Sequence, residues 1–328
     1  MPEEKGLLFI GDPHLSSRAP GFRKDDYPAT ILEKLRWSLN YARENHLRPI
    51  LLGDLFDFPR DNANWLIVRL LPLLEDETLA IYGNHDCKEN ALDENDTLSI
   101  LVHANKIRLL DESRVWSGVM DGREVVVGGT SWGQKLPESF DPEAARPLQR
   151  LGLSVREIAP LVFWICHHDL KFPGQEEFTR IDCREIPGID FIINGHIHRD
   201  MGRFQTGKTT WLNPGNISRL SRKDSSRTHI PSLLRADISQ AGCELTRIAI
   251  PHQPYDEVFH PQTGEQAPSE AGSIFIQALA NFESIRTASG AGLRAFLDAN
   301  LAQFEPKIAT EIQSLAEEVL QNAQSTNK

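Results

Sequence analysis

Five short apolar runs constrain this chain most, because each stops at side chains that can bind a cation. Leu7–Ile10 leads into Asp12 and His14, and Pro49–Leu52 into Asp54. Thr78–Tyr82 leads into Asn84, His85 and Asp86. Leu161–Cys166 leads into His167 and His168, and Phe191–Ile193 into His196 and His198. Short runs of this kind, rich in Ile, Val, Leu and Phe, read as buried strands. Between the first three, Ile31, Leu32, Leu35, Leu39 and Ala42 share one helical face, and Asn62–Leu74 reads as a second helix. Strand–helix–strand alternation implies a parallel sheet with right-handed crossovers. Ligands bind at the carboxyl ends of such strands, so five strand ends can bring their side chains to one place. Thr97–His103 reads as a further short helix. Asp121-Gly122, between Val115–Met120 and Glu124–Gly128, signals a hairpin, so the sheet becomes mixed or is joined by a second one.

The donors that these ends supply are imidazoles, two carboxylates and one amide. That mixture suits two divalent transition metals of intermediate hardness, manganese, iron or zinc. Calcium and magnesium prefer all-oxygen sites, and a structural zinc site would close with cysteines. The four cysteines (Cys87, Cys166, Cys183, Cys243) have no Cys-x-x-Cys spacing, which fits reduced thiols in a cytoplasmic protein. A strand-like run begins almost at once, so no signal peptide is read, and Arg69 and Pro72 break Trp65–Leu74 below membrane-spanning length. A net charge of −11 over 328 residues argues against indiscriminate nucleic-acid binding.

The ordered blocks Asp12-x-His14, Gly53-Asp54, Gly83-Asn84-His85-Asp86, His167 and Gly195-His196-x-His198 resemble the calcineurin-like metallophosphoesterase superfamily over roughly residues 7–215. The resemblance implies an α/β fold, with two facing mixed β-sheets flanked by helices. It also implies that Asp12, His14 and His198 hold one metal, that Asn84, His167 and His196 hold the other, and that Asp54 bridges them. His85 is then the acid or transition-state stabiliser, held by Asp86. His167 and His168 compete for one place, and His167 is preferred because it directly follows its strand. The implied reaction is hydrolysis of a phosphate ester by a metal-activated hydroxide, with manganese the expected metal and iron or zinc the alternatives.

Within the superfamily, Gly11-Asp12-Pro13-His14-Leu15, Arg23-Lys24-Asp25-Asp26-Tyr27 and Asn213-Pro214-Gly215 followed by Arg219 are similar to SbcD-type DNA-repair nucleases. Two basic loops, Arg18, Arg23 and Lys24, then Arg219, Arg222, Lys223 and Arg227, suggest contacts to a phosphate backbone. Arg219 and Arg222 are the expected DNA contacts. The alternatives are a small-molecule phosphodiesterase or phosphatase acting on a cyclic nucleotide or similar ester, and an interaction scaffold with the same fold.

The expected organisation is a catalytic domain over 1–254, with a short capping portion near 216–254, a linker over 255–271 and a helical region over 272–328. The apolar stripes of that last region need burial in cis, on a second copy in a homodimer, or on a partner. The SbcD-type resemblance implies an SbcC-type ATPase as that partner.

Overall fold

The computed structural model describes residues 4–145, 159–173, 181–222, 224–261 and 313. The chain divides into two compact units, Met1–His260 and Pro261–Lys328. The helices read over 272–328 lie outside the described residues, apart from Gln313.

In the first unit the strands are β1 (Gly6–Ile10), β2 (Leu47–Leu51), β3 (Thr78–Ala80), β4 (Ile107–Leu109), β5 (Trp116–Met120), β6 (Arg123–Thr130), β7 (Leu161–Cys166), β8 (Leu170–Lys171), β9 (Ile181–Asp182), β10 (Phe191–Asn194), β11 (Gly202–Thr206), β12 (Thr209–Asn213), β13 (Ser232–Ser239) and β14 (Gly242–Ala249). The helices are α1 (Tyr27–Glu44), α2 (Asn64–Leu70), α3 (Thr97–His103), α4 (Asp224–Thr228) and α5 (Tyr255–Val258). One six-stranded sheet has the order β14-β13-β1-β2-β3-β4, a second has β11-β12-β10-β7-β6-β5, and β8 pairs with β9. Both large sheets are mixed, because β13, β14, β5 and β11 join antiparallel.

The period-two alternation of strands explains the layers. Leu7, Phe9, Ile50, Leu52, Leu79 and Ile81 face Val125, Val127, Phe163, Ile165 and Ile193 between the two sheets. Phe9 and Phe163 meet across that core with ring centroids 5.7 Å apart. Leu8, Ile10, Leu51 and Ala80 point the other way, onto Ile31, Leu35, Leu66, Leu70, Leu98 and Leu101 of α1, α2 and α3. Strands buried on both faces read as unbroken apolar runs, which is why the sequence displays them so clearly. Complete burial of each large side chain contributes about 1.5–3 kcal/mol.

Three boundaries differ from the sequence reading. The segment near 216–254 does not form a cap: β13 pairs antiparallel with β1, matching Gly6 to Asp237 and Phe9 to Leu234, so β13 and β14 extend the first sheet. They cover an edge of β1 that would otherwise expose unpaired backbone. The linker does not begin at 255, because α5 and the buried Phe259 belong to the first unit, where Phe259 bridges to Arg23. Helix α2 is shorter than Asn62–Leu74, and Pro72 lacks the amide needed to continue it.

Candidate metal centre

Register converts the five sequence blocks into one site. Ile10 pairs with Leu51 and Leu51 with Ala80, so β1, β2 and β3 end level. In the other sheet Asn194 pairs with Cys166. Within a few residues of those ends the chain turns into Asp12, His14, Asp54, Asn84, His85, His167, His196 and His198. Asp12, His14, Asp54 and His196 have φ of 38°, 47°, 46° and 65°. Left-handed backbone at a non-glycine residue costs of order 1 kcal/mol, and it persists where the surroundings enforce it. Gly83 and Gly195 let the loops close on the site. A Cβ at Gly83 would collide with Asp54 Oδ1, and one at Gly195 would lie 2.7 Å from Asp12 Oδ1 and from His167 Nδ1.

Three donor groups result among the described residues, and two of them share Asp54. Asp12, His14, Asp54 and His198 form one of that pair, Asp54, His167 and His196 form the other, and His14, Asp57 and His85 make the third, with the ligand atoms of each within 4.8 Å of one another. Asp54 Oδ2 is the shared atom, 3.5 Å from His14 Nε2 and 3.2 Å from His167 Nε2. Asn84 completes the second group: its Oδ1 lies 3.3 Å from His167 Nε2 and 3.0 Å from His196 Nδ1. His14 Nε2 and His198 Nε2 point at each other across 3.0 Å.

The fit to cations is visible in what these atoms lack. Asp12 Oδ1, Asp12 Oδ2 and Asp54 Oδ2 are buried and accept no hydrogen bond. A buried carboxylate without partners is costly, and cations on the open side would supply what is missing. Burial, with the adjacent Asp54 charge, pushes Asp12 up to about 7. Burial acts on Asp54 in the same sense, but His167 and His14 outweigh it and hold Asp54 well below the usual carboxylate range. The remaining ring nitrogens are oriented by neighbours, as metal-binding imidazoles require. His167 Nδ1 lies 2.8 Å from the Leu52 carbonyl oxygen, and His196 Nε2 lies 2.8 Å from Asp169 Oδ1.

His168 is placed differently from His167. Its backbone amide donates to Asn194 Oδ1, its Nε2 is buried without a partner, and burial together with the His167 and His196 charges pushes it down to about 4. His167 is therefore the residue turned toward the other donors.

His85 lies beside the donors, with its ring centroid 4.7 Å from that of His14. Asp86 does not hold it. The Asp86 carboxylate accepts from the amides of Leu55, Phe56 and Gly83, and so fastens two of the strand-end loops together. His85 Nδ1 lies 2.8 Å from the Asp57 carbonyl oxygen. A carbonyl only accepts, so Nδ1 carries the proton and Nε2 is left for substrate. Burial opposes a charged His85, but Asp54 and the Asp57 contacts hold it above its ordinary value.

Of the two arginines expected on DNA, Arg219 is bonded within the chain. Arg219 is buried, with Nε donating to the His229 carbonyl at 3.0 Å and Nη1 to the Gln253 carbonyl at 2.8 Å. Arg222 stacks on Phe22, and its carbonyl accepts from Tyr255 Oη. Arg23 is tied to Asp25 and to the Arg219 carbonyl, and Lys24 to the Asp256 carbonyl. In sequence these residues look like a free basic patch, but their partners are backbone carbonyls and aromatic rings that no charge count displays.

Three residues at the site were not assigned a role on it from sequence. Asp57 reaches His14 Nδ1 at 3.3 Å and positions His85 through its backbone carbonyl. Asp169 orients His196, and its place directly after His167-His168 was the available signal. Trp132 lies 5.0 Å from the His196 ring, with Nε1 donating to Asn90 Oδ1. It follows β6, whose end carries no ligand-type residue, so nothing in sequence marked it.

The family model for calcineurin-like phosphoesterases matches residues 6–200. The chain belongs to the calcineurin-like phosphoesterase family. Family membership implies a metal-dependent phosphoesterase, and the two donor groups that share Asp54 agree with the two divalent metals typical of calcineurin-like phosphoesterases. No curated protein matches the chain. Among solved structures, a hypothetical protein from Thermus thermophilus is 14% identical, with a TM-score of 0.40 over 75% of this chain and 99% of its own. A predicted phosphoesterase from Streptococcus pneumoniae is 12% identical, with a TM-score of 0.33 over 78% and 95%. Vacuolar Protein Sorting 29 from Cryptosporidium parvum is 13% identical, with a TM-score of 0.31 over 76% and 100%. No helix among the described residues is long and apolar enough to cross a membrane.

Proposed function

We propose that the chain is a dinuclear-metal phosphodiesterase that cleaves DNA, an SbcD-type nuclease. One observation carries the phosphodiesterase reading: buried, unpartnered carboxylate oxygens of Asp12 and Asp54 face imidazoles, with a proton-bearing His85 alongside. Asp12, His14, Asp54 and His198 would hold one ion, and Asp54, Asn84, His167 and His196 the other. Ions held there would supply Lewis-acid polarisation of a phosphoryl oxygen and activation of a water. With the Nδ1 proton kept on the Asp57 carbonyl, a charged His85 carries a second proton on Nε2, presents it to the reacting ester and gives it to the departing oxygen. Asp57 holds the His85 ring through Nδ1 in that orientation. The Asp86 carboxylate keeps the Asp54 and Asn84 loops in register, so that the donor set keeps its spacing.

DNA as substrate rests on the resemblance of the Asp12–Leu15, Arg23–Tyr27 and Asn213–Gly215 blocks. The internal engagement of Arg23 and Arg219 favours a second reading, a small diester such as a cyclic nucleotide. A manganese-supplemented panel of single- and double-stranded DNA, RNA, cyclic nucleotides and a chromogenic diester separates them. The nuclease reading expects DNA cleavage that a chelator abolishes. Turnover of cyclic nucleotides without DNA cleavage hands the case to the small ester.

The same reading makes residues 272–328 the docking segment for an SbcC-type ATPase. Full-length protein with Phe296→Asp and Leu301→Asp is expected to keep diester cleavage and to stop co-purifying with that partner. Retained co-purification rejects the assignment.

A further inference from the structure

Phe58 is 42% exposed and follows Asp57, the residue that touches His14 and holds His85. A single exposed aromatic residue on a protein surface is ordinary, but Phe58 differs in two further respects. First, its loop is held rigid. The Asp57 amide donates to the Leu15 carbonyl at 2.9 Å, Asn62 Nδ2 to the Phe58 carbonyl at 2.8 Å, and the Thr97 amide to the Pro59 carbonyl at 2.6 Å. Arg60 adds ion pairs to Asp93 and to the buried Asp96. A braced loop keeps the ring in water, where an unbraced one could fold it away. Second, the guanidinium of Arg18 sits over the ring, 5.2 Å from its centroid. Arg18 makes no ion pair among the described residues, in contrast to Arg23, Arg60 and Arg227. Its loop is tied to that of Phe58, since Ser17 Oγ accepts from the Ala63 amide at 3.4 Å.

A part-exposed aromatic ring, an arginine over it without an ion pair and a position one residue from the group that holds His85 together describe a stacking platform for single-stranded nucleic acid. We propose that Phe58, with Arg18 on its ring, is the shelf on which a nucleobase beside the scissile phosphate stacks, an inference that rests on DNA as the substrate. The base stacks on the phenyl ring, and the Arg18 charge lies near the adjoining backbone phosphate. The shelf selects single-stranded or frayed ends, because a base inside a duplex cannot offer its face.

The test is a cycle between the ring and the base, using the full-length, manganese-loaded protein. Single-stranded oligonucleotides carry one abasic nucleotide, stepped across the scissile phosphate. At the stacked position, Phe58→Ala and removal of the base are each expected to lower kcat/KM about 5- to 150-fold, and together no further than either alone. Phe58→Trp restores cleavage of the intact strand. In calcium, the affinity of His85→Ala protein for the intact strand, read by fluorescence anisotropy, falls by a similar factor when Phe58→Ala is added. Cleavage of DNA that Phe58→Ala leaves unchanged, or losses that multiply at every position, overturn the shelf and leave the nuclease reading standing. A protein that cuts a chromogenic diester but neither cuts nor binds DNA overturns the substrate reading and the shelf with it.

Discussion

The donor cluster and the arginine-rich loops are both dense in charge, and the structure treats them in opposite ways. In the cluster, Asp12 and Asp54 keep buried oxygens with no partner. In the loops, the guanidiniums of Arg23 and Arg219 are satisfied by carbonyls and a carboxylate of the same chain. Buried polar groups are normally bonded, so an unbonded set points outward to a missing ligand, and a fully bonded set points inward to folding. Residue type alone does not distinguish the two.

The largest effect that can break this contrast is on the shared carboxylate. Asp54→Ala is expected to abolish diester cleavage and to reduce bound manganese from about two equivalents to one or fewer, measured by elemental analysis. Unchanged metal content would remove Asp54 from the bridge.

His85 comes next. His85→Ala is expected to lower turnover by roughly two to four orders of magnitude while metal content stays normal. Asp86→Asn should act on folding, since the carboxylate anchors three backbone amides, and should lower the denaturation midpoint. A rate defect in Asp86→Asn with full stability would restore Asp86 as the partner of His85.

The arginine side is sharpened by Arg219→Ala. It leaves the buried His229 carbonyl and the partly exposed Gln253 carbonyl without this donor and should lose about 1–3 kcal/mol of stability in urea unfolding. Selective loss of DNA cleavage at unchanged stability would return Arg219 to the substrate.

The smallest effect concerns Lys34, buried beneath the same loops. Burial, then the Arg23 and Arg219 charges, pushes its amine down to about 8. The folded chain therefore binds fewer protons than the unfolded chain between about pH 8 and 10.5, and stability rises with pH across that window. Lys34→Met should remove the rise and add roughly 1 kcal/mol at pH 7. A steeper rise in the variant would show that another group governs that window.

The contrast also explains how far sequence could reach. Strands buried on both faces announce themselves as apolar runs, so Leu7–Ile10 and Leu161–Cys166 were readable, and so were the donors at their ends. The preference for His167 over His168 came from its place directly after its strand. The hold on His85 was read onto Asp86, and Asp57 went unassigned, because hydrogen bonds to backbone leave no trace in residue type. Trp132 was invisible because its neighbour His196 lies far along the chain. The β13–β14 hairpin was read as a cap because sequence does not say which edge a late strand joins.

The order in which the donors occur along the chain has a further consequence. Asp12, His14, Asp54 and Asn84 belong to the first sheet, whereas His167, His196 and His198 belong to the second. During synthesis, more than half the polypeptide must emerge before either cation can find its imidazoles. β1 also waits for β13 to cover its edge. A nascent or truncated chain ending before His196 lacks donors to both groups, so the hydrolytic centre is withheld until both sheets exist. Bound cations would then lock the two sheets together at their shared end, so the cell meets this chemistry only in the finished molecule.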